Sequence, residues 1–452
     1  MLTELSNKRE KLSEEEAVLV DRLSSLPDFL IFHVLSFLPT KYVVATSILA
    51  KRWKNLWAFV DTIIFDNGIN VRPIRMEFSQ VVYRVLLLHK AQSIKRTHLF
   101  SGNSGCNEND FRSWISTALD RNVGDLDLAF PIEFIMPPRL FNSQTLVKMR
   151  MVFEDLTCLH VPNAPFLPSL KELYLGKLRY DTESIKRLIL GCPALELLFL
   201  HVRIFNHVVS CTISSSTLKR LELFCEKDFS IPPHKLIINS PALEFLQIRY
   251  PSTDIVIVTE LPHLVEAGIH LFWIRQNGDN ICNESIARLI HLVSKVKILR
   301  LSTDSERPMT MDLQAKFPNL TKLKIASSFF EFVLLQNFME NSINVESIAL
   351  EKTMHIHVHD QHYKILRQPH QVPWNEPQHL PKCFLTSLRE VVIKGYRSKA
   401  ESQMVKYVLG YGEILERMEI SCSDNDIDHK YHMIQNILKF PRASRRCEVS
   451  FS

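Results

Sequence analysis

The chain has 452 residues, of which 46% are hydrophobic and 23% are charged. This balance is typical of globular proteins and excludes global disorder, and a content of only 11 Gly excludes collagen-like or linker-rich chains. The net charge is +5 and no basic block occurs, so nothing supports a nucleic-acid partner. The absence of an apolar run of about 18 residues likewise gives no support for a membrane partner.

The first twenty residues are rich in charge and lack the apolar core of a secretory signal. Nine cysteines are present, an odd number, and none of them forms a C-x-x-C pair. We therefore expect buried, reduced thiols in an intracellular protein.

Residues 27–57 predict a compact unit of three short helices. Pro27 suits a first helical turn, and Asp28 complements the positive end of the helix dipole. Thr40 is predicted to cap the second helix, and the third is predicted to begin near Ala50. Apolar residues at helical spacing support these helices: Leu30, Ile31, Val34, Leu35, Leu38, Val44, Ala45, Ile48, Trp53, Leu56 and Trp57. A unit this small is expected to pack against a partner or against the segment that follows.

Residues 123–420 carry a repeated hexad with apolar residues at its first, fourth and sixth positions. Most of the twelve copies follow one another at 21 to 27 residues, the spacing of leucine-rich repeats. The last two apolar residues face the same side of a short strand, and neighbouring repeats must stack to bury that side. The hexads begin at Val123, Leu146, Leu170, Leu195, Leu218, Leu243, Leu264, Val296, Leu320, Val345, Leu388 and Leu415.

The segments between hexads are unequal, which predicts an irregular solenoid. In residues 181–191, Asp181 is a predicted N-cap and Gly191 a predicted C′ residue, and Pro193 prevents continuation of the helix. Residues 283–293 show the same helical spacing, whereas residues 202–217 have an extended or irregular pattern. Residues between the apolar strand positions are predicted to point outward, and four of them are candidates for a binding face: Tyr174, Phe199, Glu222 and Gln247.

The C-terminal segment is predicted to cap the last repeat. Ser398 and Glu401 form a potential capping box for a helix with Gly410 as its C-cap. Alternation of Cys447, Val449 and Phe451 predicts a final strand that covers the apolar end of the solenoid.

Residues 21–67 resemble an F-box of the plant leucine-rich-repeat type. The matching motifs are LPD at 26–28, LSFLPTK at 35–41, TS at 46–47, KRW at 51–53 and LW at 56–57. Phe29 and Tyr42 depart from the residues that are common in this family. The C-terminal region resembles an FBD domain through Trp374, Pro377, LPKCF at 380–384, IKGY at 393–396 and FPRAS at 440–444.

The resemblance implies an α/β fold: a polar tail at 1–20, a three-helix F-box at 21–67, an irregular leucine-rich-repeat horseshoe at 68–370 and an FBD domain at 371–452. It implies a substrate-recognition subunit of an SCF-type cullin-RING ubiquitin ligase, without catalytic residues or cofactors of its own, in the nucleus or the cytoplasm. The F-box would bind a Skp-family adaptor and, through it, the cullin and RING subunits. The repeats would bind a target protein. Residues predicted to contact the adaptor are Leu26, Pro27, Leu30, Ile31, Val34, Leu35, Leu38, Pro39, Leu49, Arg52, Trp53, Leu56 and Trp57. The alternative is that about half of them are internal to the three-helix core.

The sequence leaves one alternative function open and disfavours two others. A scaffold that uses its F-box outside any ligase stays open. An enzyme is disfavoured, because no G-x-S-x-G, H-E-x-x-H, Walker A or G-x-G-x-x-G motif is present. A zinc or copper site is conceivable at His355, His357, His359 and His362 with Asp360. The alternation of these histidines with apolar residues favours an edge strand with a solvated side instead.

Overall fold

A computed structural model describes residues 23–66, 77–101, 106–130, 135–204, 210–227, 235–250, 254–257, 260–272, 287–304, 315–327, 332–352, 373–396, 399–422 and 427–452. The chain divides into two compact units, Met1–Asp155 and Leu156–Ser452. Among the helices of these segments, none has the length and apolarity needed to cross a membrane.

The first unit opens with short helices: α1 (Asp28–Leu35), α2 (Thr40–Ala45) and two 3₁₀ helices at Thr46–Ile48 and Lys51–Phe59. The helix predicted to begin near Ala50 is therefore a 3₁₀ helix rather than an α-helix. With about three residues per turn, it places Trp53 and Leu56 on the same side, and both side chains are buried.

The prediction that Thr40 caps the second helix is wrong. Pro39 holds the cap position of α2 and Thr40 is its first helical residue. The Thr40 Oγ1 atom accepts a hydrogen bond from the backbone N–H of Ile64 at 2.8 Å. Thr40 therefore joins α2 to the strand that follows the helical segment.

Among its described residues, four strands, two further α-helices and one 3₁₀ helix complete the first unit. They are β1 (Thr62–Asp66), α3 (Phe78–Leu88), β2 (Arg96–Phe100), α4 (Glu108–Asp120), β3 (Asp125–Phe130), a 3₁₀ helix (Pro138–Asn142) and β4 (Lys148–Cys158). Each of these strands pairs in parallel with the next. A capping box between Asn107 and Asp110 starts α4.

In its described segments, the second unit is built on a parallel ladder of eleven strands. In spatial order they are β5 (Glu172–Arg179), β6 (Leu197–Ile204), β8 (Arg220–Lys227), β10 (Phe245–Tyr250), β12 (Glu266–Phe272), β13 (Ile298–Asp304), β14 (Lys322–Ser327), β15 (Ser347–Lys352), β16 (Glu390–Tyr396), β17 (Arg417–Cys422) and β18 (Glu448–Phe451). Each of the twelve hexads lies on one strand, from β3 and β4 through β17, and the fourth and sixth positions are buried. The repeat prediction is confirmed, as is the final strand at β18.

The segments that return between strands differ along the second unit. In the described residues, several of them contain helices: α5 (Thr182–Leu190), α6 (Phe332–Asn341), α8 (Lys399–Tyr411) and α9 (Ile427–Leu438), and α7 (Cys383–Thr386) is a single turn. Three others form a second parallel sheet, in the order β11 (Asp254–Ile257), β9 (Lys235–Asn239) and β7 (Ser210–Ser214). The extended pattern predicted at 202–217 is thus confirmed at β7. Residues 287–292 are helical, and the rest of the stretch predicted at 283–286 lies outside the described residues.

The start of α5 is confirmed, but its end differs from the prediction. Asp181 accepts hydrogen bonds from the backbone N–H groups of Glu183 and Ser184, both at 3.3 Å. Gly191 has a φ of −73°, so it is not a left-handed C′ residue. A Cβ atom at Gly191 would lie 2.5 Å from the carbonyl oxygen of Pro165. Close approach of the backbone is the physical reason for glycine at this position.

The prediction of Gly410 as a C-cap is wrong, because α8 continues through Gly410 to Tyr411. Ser398, the other half of the predicted capping box, lies outside the described residues. The Glu401 carboxylate is buried and lies 3.0 Å from the Nζ of Lys352 on β15. Glu401 therefore joins α8 to a neighbouring strand.

Candidate functional site

The helical segment at the start of the first unit has its own small core. Six buried residues form it, with Leu26, Phe32, Ala50 and Trp57 packed against them: Ile31, Leu35, Val43, Trp53, Leu56 and Val60. Ile31 and Leu35 are each only 1% exposed. Four of the predicted adaptor contacts, Ile31, Leu35, Trp53 and Leu56, are therefore reassigned to the interior, because a fully covered side chain has no surface to offer a partner.

The same segment exposes an unusual number of large apolar side chains. Eight within residues 29–49 are exposed, and we call them the N-terminal apolar surface: Phe29, Leu30, Val34, Phe37, Leu38, Tyr42, Ile48 and Leu49. Single exposed apolar residues are common, but a concentration of this size is typical of an interaction site. Leu30, Val34, Leu38 and Leu49 were predicted contacts.

Phe29, Phe37, Tyr42 and Ile48 also belong to this surface, although none of them is among the residues predicted to contact the adaptor. Phe37 is 72% exposed and Ile48 is 87% exposed. The signal lay in consecutive apolar residues such as Phe37 and Leu38, because one helical stripe cannot bury both neighbours.

Arg52 organises the entry to α1. Its Nη2 atom donates to Asp28 Oδ1 at 2.5 Å and to the carbonyl oxygen of Leu26 at 2.7 Å, and Nη1 donates to the carbonyl of Ser24. The neighbouring Trp53 donates from Nε1 to Ser24 Oγ at 2.7 Å. These bonds fix the turn that carries Leu26 and Pro27 next to the N-terminal apolar surface. Pro27 is exposed, whereas Leu26 is half-buried.

His89 joins the helical segment to the strands of the first unit. Its Nε2 atom lies 2.8 Å from the carbonyl oxygen of Val60, and its Nδ1 atom lies 2.8 Å from Nη1 of Arg121. Because Arg121 can only donate, Nδ1 accepts and Nε2 donates, which defines a neutral tautomer. Burial, followed by the charge of Arg121, lowers the pKa of His89, although the bond to Val60 opposes the shift.

The outward candidates of the second unit lie side by side. Tyr174, Phe199, Glu222 and Gln247 face each other in register on β5, β6, β8 and β10, and all four are half-buried. The rings of Tyr174 and Phe199 stack at 3.8 Å with planes 6° apart. The strands thus bring together residues that lie about 25 positions apart in the sequence.

Two buried cysteines of the described segments have raised thiol pKa values. Burial raises the pKa of Cys192 to about 12 and that of Cys383 to about 11, so both thiols are protonated and poorly nucleophilic at neutral pH. No group of three His, Cys, Asp or Glu residues in these segments is placed to hold a metal ion. The histidines from His355 to His362 lie outside the described residues.

Comparisons with known proteins agree with the order of these parts. A model of the F-box domain matches residues 23–63. The model "FBD-associated F-box protein At5g56370, LRR repeats" matches residues 111–325. The FBD model matches residues 376–420.

Relatives from Arabidopsis thaliana match along nearly their whole length. F-box/FBD/LRR-repeat protein At4g26340 is 28% identical over 442 residues, which cover 96% of this chain and 100% of the relative. Putative F-box/FBD/LRR-repeat protein At3g49030 is 29% identical over 458 residues, with 97% of each chain covered. Probable FBD-associated F-box protein At1g32375 is 28% identical over 446 residues, covering 96% and 100%. The chain therefore contains an F-box, leucine-rich repeats and an FBD domain in that order, and it is similar along its length to these Arabidopsis F-box/FBD/LRR-repeat proteins.

Proposed function

We propose that the chain is the substrate-recognition subunit of an SCF-type cullin-RING ubiquitin ligase in the nucleus or the cytoplasm. Its F-box binds a Skp-family adaptor, which connects it to cullin and RING subunits, and its repeats bind the target protein. The chain positions the target and leaves ubiquitin transfer to the other subunits. The observation that carries the proposal is the N-terminal apolar surface, because it lies within the matched F-box and is not used by the module's own core.

The F-box has some apolar residues in its core and others on its surface, and the second group is available to the adaptor. Leu30, Val34, Leu38 and Leu49 are exposed, and each large apolar side chain buried by a partner contributes about 1.5–3 kcal/mol before entropic costs. Arg52 holds the adjoining turn in place, so we assign it a positioning role.

Co-purification with a Skp-family adaptor tests the first step. We expect Val34→Asp with Leu49→Asp to abolish the complex, because two charges would be desolvated at the interface. Leu26→Ala with Pro27→Ala, which alters the turn held by Arg52, is expected to do the same. Leu87→Asp is the matched control, since Leu87 is 84% exposed on α3 and lies outside the F-box. Adaptor binding that is equal in all three variants would refute the proposal.

Reconstitution with adaptor, cullin and RING subunits tests the second step. Ubiquitin transfer to a target bound by the repeats is expected for the wild-type chain and is lost with the F-box variants. An adaptor complex that never recruits the cullin would favour a scaffold outside the ligase.

A further inference from the structure

The outward residues of the eleven-stranded ladder form registered rows, which we call the strand face. The first row runs from Glu172 through Leu197, Arg220 and Phe245 to Glu266, and the next two rows follow at two-residue steps. The positions between them are buried and form the core of the repeats. Residues of the strand face are not part of this core and need not be apolar. Their composition changes along the ladder.

Three aromatic rings lie together at one end of the strand face. Tyr174 and Phe199 are stacked, and the ring of Phe199 lies 5.1 Å from that of Phe224 at an angle of 31°. We call these three residues the aromatic ladder. Each ring is half-buried, whereas the flanking Leu198 and Leu200 are fully buried. The rings thus hold one another in fixed positions and still present apolar surface outward.

Cations follow the aromatic ladder along the same face. In the first three rows of β10, β12, β13 and β14 the charged residues other than His270 are Arg249, Arg300, Lys322, Lys324 and a single carboxylate, Glu266. Glu266 pairs with Arg300, and Glu351 of β15 lies 2.5 Å from Lys324. In these three rows cations exceed carboxylates by three, so this part of the strand face attracts negative charge.

The aromatic end lacks this excess of cations. Glu172 lies in its first row and Glu222 in its second, where Glu222 is 2.8 Å from Arg220, and Glu226 further along β8 lies 2.9 Å from His201. These acids disfavour a phosphate backbone over the aromatic ladder. A nucleic acid would need cations beside the stacked rings as well as beyond them.

The geometry points to a specific occupant, and this inference rests on the proposed function. We propose that the strand face binds an extended segment of the target protein with an aromatic or large aliphatic anchor on the aromatic ladder. Carboxylates of the same segment form ion pairs with Arg300, Lys322 and Lys324. Four strand steps of ~4.8 Å separate β6 from β13, or about 19 Å, which an extended chain covers in ~6 residues at 3.3 Å each. The segment therefore carries its acids about six residues from its anchor.

Selection from a library of random linear peptides, with the full chain as bait, tests this specificity. We expect enriched peptides to share an apolar anchor and acidic residues five to eight positions away. One enriched peptide, synthesised with a fluorophore, is then the probe for affinity measurements. Failure to enrich peptides, or enrichment of basic or uncharged ones, would overturn the proposal.

Paired variants locate the site of that peptide. Phe199→Ala and Tyr174→Ala are each expected to weaken binding about tenfold or more, as for aromatic hot-spot residues. Lys322→Glu with Lys324→Glu is expected to weaken it about tenfold at low salt and less at high salt. Phe166→Ala and Lys186→Glu are matched controls, since both residues are exposed and lie off the strand face. Equal affinity in strand-face variants and controls would contradict the proposal, as would tighter binding of a twelve-nucleotide oligothymidine than of the peptide.

Two further measurements separate this inference from the proposed function. Circular dichroism and adaptor co-purification of Phe199→Ala and Tyr174→Ala are expected to match the wild type, so that lost peptide binding reports the strand face. Peptide binding requires no ligase subunit. A chain that binds the peptide but no adaptor would refute the ligase role alone, and a chain that binds the adaptor but no peptide would refute this inference alone.

Discussion

The ammonium group of Lys352 donates a hydrogen bond to Glu401 Oε1 over 3.0 Å, although the Glu401 side chain is only 3% exposed. Lys352 ends β15 and Glu401 lies in the first turn of α8, so the pair joins a repeat strand to the helix of the FBD region. Gly395 on β16 makes room for this arrangement. Its φ is +86°, and a Cβ atom there would lie 2.6 Å from the Cβ of Lys352.

Removal of the lysine charge is expected to be costly. Lys352→Met leaves the Glu401 carboxylate buried without its cation, and we expect a loss of about 3–5 kcal/mol in the free energy of unfolding. Lys324→Met is the control, because the ion pair of Lys324 with Glu351 is largely solvated and contributes about 0–1 kcal/mol. Urea denaturation of the full chain measures both. Equal losses would show that the Lys352 pair is no more important than a surface pair.

Substitution of glycine by alanine is expected to change stability in opposite directions at two positions. Gly191→Ala places a methyl group against the Pro165 carbonyl, and we expect destabilisation of about 1–3 kcal/mol. Gly410→Ala meets no atom within 4 Å in the last turn of α8 and is expected to stabilise by about 0.5 kcal/mol. Thermal melts of both variants give the signs directly. A stabilised Gly191→Ala would rule out close packing as the reason for that glycine.

Substitution of two isoleucines, one in the core of the F-box and one on its surface, tests which residues are buried. Ile31→Ala is expected to lower the free energy of unfolding by about 2–4 kcal/mol, because a buried cavity replaces the side chain. Ile48→Ala changes an 87% exposed side chain and is expected to stay within about 0.5 kcal/mol of the wild type. Hydrogen exchange of the α1 amides measures the difference within the module. Similar exchange in the two variants would contradict the assignment of Ile31 to the interior.

His89 predicts a pH dependence of stability. Its pKa is lowered in the folded chain, so the unfolded chain binds the proton more readily. Stability is therefore fully present above about pH 6.5 and decreases as the pH falls towards the lowered pKa. In His89→Gln an amide can donate to the Val60 carbonyl without titrating, and we expect the slope of melting temperature between pH 7.5 and 5.5 to decrease. An unchanged slope would show that other groups cause the dependence.

Much of the fold is determined locally in the sequence. Apolar residues two positions apart predict strands because side chains alternate across a strand, and the near-constant spacing of the hexads predicts their stacking. Asp181 was identified as an N-cap for a similarly local reason, since its carboxylate bonds to backbone groups only two and three residues away. Resemblance to the F-box and FBD motifs added the order of the parts.

Only the tertiary structure decided which residues face which neighbours. Leu30 and Ile31 are adjacent and equally apolar, yet the first is exposed and the second is buried, because packing against Trp53 and Leu56 selects one side of α1. Thr40 bonds to Ile64 instead of capping its helix. Such contacts join residues far apart in the chain, and hydrophobic periodicity specifies a face but not the partner that covers it.

The binding surfaces likewise depend partly on local sequence patterns and partly on tertiary contacts. The sequence identified the F-box motif and the outward positions of the strands, because both follow from local patterns. The stacking of Tyr174 on Phe199 and the excess of cations on β10 to β14 depend on the parallel register of strands from successive repeats. That register is set by burial of the whole core, so no single repeat contains the information for the surface that the repeats form together.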